Sequence, residues 1–245
     1  MASKANTPKA RDGQNVSAVY ERLRTAILHG EIAAGATIPQ TMLASDFGAG
    51  RTPLREALRM LQRDGLVISE PNRSVRVATL SAEDFEELYT MRIALEAVAI
   101  RITVPTLTSA DLADLEGYMA QMEHYQKVGD KAGLRAPHRA FHQLLVAASG
   151  PRVSSEIANL ADHSERYRLR FGGYGIWDER RAEHRGIVDA ATAGDPDLAA
   201  VRLAEHYART AVLVFGVLKP EHDLGRLRTT IRAVAPGAEA ALGAG

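Results

Sequence analysis

The chain has 245 residues, 46% of them hydrophobic and only 5% aromatic, with 30 Lys and Arg balanced by 30 Asp and Glu. That length suits one large or two modest domains, and a bias to Ala and Leu over aromatics favours helix over sheet. There is no cysteine, which excludes disulfides and thiolate metal sites; no apolar run approaches a membrane span, and Met1 to Arg11 lacks the apolar core of a signal peptide, so a soluble cytoplasmic protein is expected.

Residues 1–14 are polar and read as a disordered tail. Val19, Leu23 and Ile27 then recur every four residues, and Gly30 stops that helix. A short helix is expected from about Gln40 to Phe47, with Gly48 as its breaker. Thr52-Pro53 opens a third, Thr52 as N-cap and Pro53 in the first turn; Leu54, Leu58 and Leu61 form its buried stripe and Gly65 ends it. Leu66-Val-Ile68 and Val75-Arg-Val77 are short β-type runs joined by Pro71-Asn-Arg-Ser74, a hairpin. Three helices and a hairpin make a winged helix-turn-helix, assigned to residues 15–78.

From Ser81 onward the pattern is helical. Ser81 with Asp84 resembles a capping box and opens a helix to about Thr103; Thr108 or Ser109 opens the next, to about Val128. Further helices are expected over roughly Asp130–Ala148, Val153–Phe171, Trp177–Ala193 and Pro196–Leu218. Short links between amphipathic helices make an antiparallel bundle, assigned to residues 79–224. Residues 225–245 end in an Ala/Gly-rich run and read as a flexible tail. The fold class is therefore mainly α: a winged helix-turn-helix followed by an all-helical bundle.

The segment Arg51-Thr-Pro-Leu-Arg-Glu-Ala-Leu-Arg59 has the form of a DNA recognition helix. Such a helix enters the major groove N-terminus first, and Arg51 and Arg55 can present bidentate guanidinium to guanine. Thr52 can also touch phosphate, and Arg73 on the hairpin tip can reach the minor groove or backbone. The bland alternative is a solvated face of arginines. The agreement of stripe, turn and hairpin favours DNA. Charge agrees: residues 1–78 carry 11 Lys and Arg against 7 Asp and Glu, and residues 79–245 carry 19 against 23.

Leu23-Arg-Thr-Ala-Ile-Leu-His-Gly30, Leu43-Ala44, Arg51-Thr-Pro-Leu-Arg-Glu-Ala-Leu58 and Gly65-Leu-Val67 together resemble the winged helix of the GntR transcription regulators. The resemblance implies operator contacts at Arg51, Thr52, Arg55 and the wing. It also implies a regulator, with a repressor as the first choice, that reads two half-sites as a homodimer.

In the bundle, His138 and His142 are four apart on one expected helix and share a face, with His184 and His206 on two later helices. Imidazoles on three facing helices can converge on one metal, although a lone His is more often a surface or core-edge residue. Residues 81–218 resemble the FCD ligand-binding domain of the FadR subfamily, through Arg92-Ile-Ala-Leu-Glu96, Phe141-His142, Glu183-His-Arg-Gly-Ile187 and Glu205-His206. That resemblance implies a divalent transition metal, zinc first and nickel, cobalt or copper as alternatives. Its ligands would be His142, His184 and His206, with His138 where the family usually has an acid or amide. It further implies a small carboxylate effector met by Arg92. A salt bridge from Arg92 to Glu96 at i+4 is the structural alternative. Arg166, Arg168 and Arg170 read as a solvated face, with one member able to line the pocket; Tyr174 and Trp177 read as packing residues, with closure over the cavity as the alternative; His29, His124, His163 and His222 read as surface residues.

Two other readings compete. In a metal-dependent hydrolase Glu183 or Glu205 would serve as base, but neighbours on a helix point about 100° apart, so neither faces the metal easily. The other is a DNA-binding protein with a purely structural metal.

Overall fold

A computed structural model describes residues 15–70, 74–172 and 177–243. The expected tail over residues 1–14 lies outside them. The chain divides between Leu80 and Ser81 into two compact units.

In the first unit, α1 (Val16–Leu28) is capped by Asn15, whose side chain accepts from the Ser17 N–H at 2.9 Å. A strand β1 (Thr37–Pro39) leads into α2 (Gln40–Asp46) and α3 (Arg51–Arg63). Gly65, at φ 72°, turns the chain out of α3 through the left-handed region that disfavours a side chain. Strands β2 (Val67–Glu70) and β3 (Ser74–Val77) pair antiparallel, Val67 opposite Val77. β1 adds to the other edge of β3, giving the order β1-β3-β2. β1 escapes sequence reading because three residues ending in Pro39 show no alternation. Val19, Leu23, Leu54, Leu58, Leu61, Val67 and Val75 close one apolar core under the three helices and the sheet.

One sequence expectation needs correction here. Thr52 is not the N-cap of α3: the helix starts one residue earlier at Arg51, and Gly50 is the cap, with no side-chain bond. Gly50 is extended there (φ −66°, ψ 155°), so Thr52 is already inside the first turn.

The second unit holds α4 (Ala82–Thr103), α5 (Ser109–Lys127), α6 (Lys131–Leu144), α7 (Pro151–Tyr167), α8 (Trp177–Thr192) and α9 (Pro196–Leu218). α4 and α9 pack together at its centre; α8 lies on α9 and α5, α6 on α5, and α7 on α4. Thr108 and Asp111 form a complete capping box at α5. At α4 the box is half replaced: Ser81 Oγ accepts from the Asp84 N–H, but the Ser81 N–H donates to the Tyr167 hydroxyl at 3.1 Å, and that hydroxyl donates to Asp84. The helix expected over Val153–Phe171 changes character at Arg168, where a π-helical turn spans Arg168–Gly172.

The expected flexible tail from residue 225 is also corrected. Gly225–Val234 form α10, and Pro236–Leu242 a 3-10 segment. Leu227, Ile231, Ala235 and Ala238 are fully buried, with α10 against α4 and the 3-10 segment against α9. The small residues that suggested mobility permit close approach instead: a Cβ on Gly237 would stand 3.2 Å from Val201. His222, expected at the surface, stacks on Phe215 at 4.7 Å and hydrogen-bonds Glu86 through Nε2 at 3.1 Å.

Candidate metal centre and nucleic-acid interface

α3 presents two faces. Pro53, Leu54, Ala57, Leu58 and Leu61 are buried, while Arg51, Thr52, Arg55 and Arg59 are exposed on the other side. Arg59 is engaged by Glu56 at 2.8 Å, whereas Arg55 only reaches Glu56 at 4.0 Å. The Leu54 N–H makes the first helical bond, to the Gly50 carbonyl at 3.0 Å, and Pro53 has no N–H. The N–H groups of Arg51 and Thr52 precede that bond, and Gly50 has no side chain to cap them. They are therefore open to a phosphate oxygen. Arg73 and Tyr174 lie outside the described residues, as does the side chain of Trp177. On the described part of the wing, Arg76 is held by Glu70 at 2.7 Å.

In the helical unit, α6 supplies His138 and His142, α8 supplies His184 and α9 supplies His206. One ring nitrogen from each falls within 4.8 Å of the others. The rings are in contact: His138 and His142 centroids are 4.6 Å apart, His184 and His206 also 4.6 Å, and His142 and His206 5.3 Å. His142, His184 and His206 are buried. Burial first, then the neighbouring rings of the cluster and the positive Arg168, Arg92 and Arg180, holds His138, His142 and His206 well below the usual imidazole range. His184 is pushed down to about 3, chiefly by burial. All four rings are thus neutral, which is the metal-ligating form.

The donors fit a metal on a structural test. Buried polar atoms normally find a partner. Yet His142 Nε2 is buried with no hydrogen-bond partner among the described residues, and neither nitrogen of the buried His184 has a well-formed one, only the Arg180 backbone approaching that ring as a partner. Four imidazoles suit zinc or another borderline divalent ion, and the absence of oxygen donors from the cluster argues against calcium or magnesium.

The outer nitrogens are held from behind. His206 Nδ1 lies 2.7 Å from Glu183 Oε2, and His142 Nδ1 lies 3.1 Å from the Tyr207 hydroxyl. Arg168 Nη1 donates to His138 Nδ1 at 3.5 Å. Glu183, raised by burial against the opposing pull of Arg180 and Arg209, touches both arginines at 3.4 and 3.6 Å. Glu205 is engaged by Arg202 and Arg209 and makes no such contact with a ring.

Arg92 does form the i+4 bridge: its Nε donates to Glu96 Oε1 at 2.9 Å, with both side chains buried. Its guanidinium lies 4.2 Å from the centre of the Tyr207 ring. The Tyr89 hydroxyl is also buried without a partner among the described residues.

Sequence reasoning thus named the four histidines and Arg92 but missed Tyr207, Arg168 and Arg180, and it weighed Glu183 only as a base. The charged run Arg166, Arg168 and Arg170 reads as a solvated face with room for one member at the pocket, and nothing in it singles out Arg168; Arg166 is buried as well. The π-helical turn that begins at Arg168 breaks the helical periodicity, and Arg168 turns inward to His138.

Comparison with known proteins is consistent with both halves. Residues 15–77 match the model of the bacterial regulatory proteins of the gntR family, and residues 87–209 that of the FCD domain. A probable D-xylose utilization operon transcriptional repressor of Paenarthrobacter nicotinovorans is 30% identical over 193 residues, 78% of this chain and 85% of that protein. The HTH-type transcriptional regulator YdhC of Bacillus subtilis is 32% identical over 146 residues, 59% of this chain and 63% of its own length. Among solved structures, Escherichia coli McbR/YncC shares the fold, with a TM-score of 0.72 at 22% identity over 82% of this chain and 97% of that one.

Proposed function

The chain belongs to the GntR family of transcription regulators and carries the FCD domain, and from that premise we propose that it is a metal-dependent repressor relieved by a small carboxylate. Its relatives are regulators, not enzymes, and the helix-turn-helix binds operator DNA. No helix among the described residues is long and apolar enough to cross a membrane.

The observation that carries the reading is the cluster of four histidines, three of them buried, in which His142 Nε2 and the ring nitrogens of His184 lack a side-chain partner among the described residues. His142, His184 and His206 hold the metal, with His138 as the fourth donor. When bound, the metal supplies a fixed positive charge and Lewis acidity inside the bundle. Arg92 uses Nε for Glu96. Its Nη groups are the ones that meet a carboxylate, in the forked geometry guanidinium favours. Arg51, Thr52 and Arg55 read the operator, with Arg73 contacting backbone or minor groove.

The regulator works as a homodimer, because one small head buries too little surface for tight specific binding. Met91, Val98 and Ile102, at i, i+7 and i+11 on α4, are 43, 51 and 48% exposed and supply an apolar stripe for a second copy. Effector binding shifts the population of head arrangements with different operator affinity.

A thermal-shift screen of small organic acids, with and without zinc, tests this reading directly. The expected result is a melting-temperature rise that requires both metal and acid, with loss of operator retardation by the same acid. Stabilisation by the acid after chelation would refute the metal-dependent site.

A further inference from the structure

The hydrogen bonds behind His142 have a direction. Glu96 is a carboxylate matched to the Arg92 guanidinium, 2.9 Å from its Nε, so it can only accept. Its other oxygen, Oε2, accepts the hydroxyl of Tyr207. A phenol has one proton to donate. With that proton committed to Glu96, the Tyr207 oxygen can only accept in its second contact. The donor there is His142 Nδ1, at 3.1 Å.

A neutral imidazole protonated on Nδ1 carries its lone pair on Nε2. Nε2 of His142 is the atom that is buried without a partner. We propose that Arg92, Glu96 and Tyr207 form a positioning relay that locks His142 in its Nδ1–H tautomer and aims the Nε2 lone pair into the histidine cluster. None of the three touches the metal; they act through His142. Because Arg92 closes the chain, anything that draws its guanidinium from Glu96 also loosens the hold on His142.

The relay is particular to this ring. His206 is held by a carboxylate alone, Glu183, at 2.7 Å. His138 has the opposite polarity: Arg168 donates to its Nδ1, which places the neutral ring's proton on Nε2, so this ring must release Arg168 or switch tautomer before it can serve as the fourth donor. The four donors are therefore not equivalent before a metal arrives.

This inference rests on the metal reading, and the experiment separates the two. The metal-free full-length protein, labelled with nitrogen-15 at histidine, is observed by long-range proton–nitrogen correlation. The expected spectrum has His142 protonated at Nδ1 and bare at Nε2. Tyr207→Phe should turn His142 into a tautomer mixture and weaken zinc about 10–100-fold in chelator competition, the usual cost of losing a hydrogen-bond partner behind a metal-ligating imidazole.

Glu96→Gln adds an amide that can donate to the Tyr207 oxygen, which turns the hydroxyl proton toward His142 and inverts its tautomer. A wild-type spectrum with His142 protonated at Nε2 overturns the relay. So does Tyr207→Phe with unchanged tautomer and zinc affinity. Should either variant fail to fold, the wild-type spectrum decides alone. Wild-type protein that takes up no zinc would sink the metal reading and leave the tautomer result standing.

Discussion

Glu183 Oε2 sits 2.7 Å from His206 Nδ1, on the outer side of the ring, while the next residue, His184, puts its ring inside the cluster. Adjacent helical residues point about 100° apart, so one turn of α8 supplies both a ring of the cluster and the carboxylate behind another. Glu183→Gln should therefore weaken zinc binding about 10–100-fold without abolishing it. Chelator competition measures this; an unchanged affinity would show that the carboxylate does not orient the ring.

The four histidines should contribute unequally. His142→Ala and His184→Ala each remove a buried ring with an unpartnered nitrogen, and elemental analysis should find no stoichiometric metal in either. His138→Ala should retain partial occupancy, because Arg168 engages that ring's Nδ1 and leaves its proton on Nε2, so it is the donor least ready to ligate. Full metal in the His142→Ala, His184→Ala double variant would remove the site altogether.

Stability without metal should depend on pH in a defined direction. Burial depresses all four imidazoles in the folded state, whereas unfolded histidines take up protons at about pH 6.5. Below that value the unfolded chain binds more protons than the folded one, so stability falls as pH falls. Chelator-treated protein should melt at progressively lower temperature from about pH 6.5 downward. A flat profile across that range would place the rings in water.

Arg51→Ala and Arg55→Ala should each weaken specific operator binding by about 1–3 kcal/mol per lost base contact. Both side chains are exposed, so the melting temperature of the free protein should not move. Retardation assays at fixed salt, with specific and scrambled DNA, check this. Equal losses on both DNAs would mean phosphate contacts only.

Leu227→Ala should cost about 2–5 kcal/mol of stability, as for a buried core leucine. Leu227 is fully buried in α10, the element that the composition of the C-terminus conceals. Urea denaturation measures the loss, and a change within error would return residues 225–242 to the status of a tail.

Sequence legibility follows the range of the interactions. Thr108 and the glycines after α1 and α3 act within one helical turn, so those helix ends could be read closely, whereas the ends expected at Ala148 and Phe171 fall four residues past the α-helical ends at Leu144 and Tyr167, where the chain tightens or widens its turns. The exposed Arg51, Thr52 and Arg55 against buried Leu54, Leu58 and Leu61 follow from the 3.6-residue period alone. His138 and His142 share a face for the same reason. The end of the chain misled because Ala and Gly weigh toward mobility in composition, while the apolar pair Leu227 and Ile231 at i, i+4 was the local signal of a helix.

A winged helix with arginines at the head of α3, a helical body, and four histidines on three helices can all be read along the chain. Those follow from local periodicity, capping and resemblance. Only the tertiary structure decided that Glu183 supports His206, that Arg168 turns in to His138, and that Arg92, Glu96 and Tyr207 stand in line behind His142. Glu96 and Tyr207 are 111 residues apart, and their contact depends on how α4 packs against α9. Hydrogen-bond direction is set by which group meets which, and no spacing along the chain encodes that meeting.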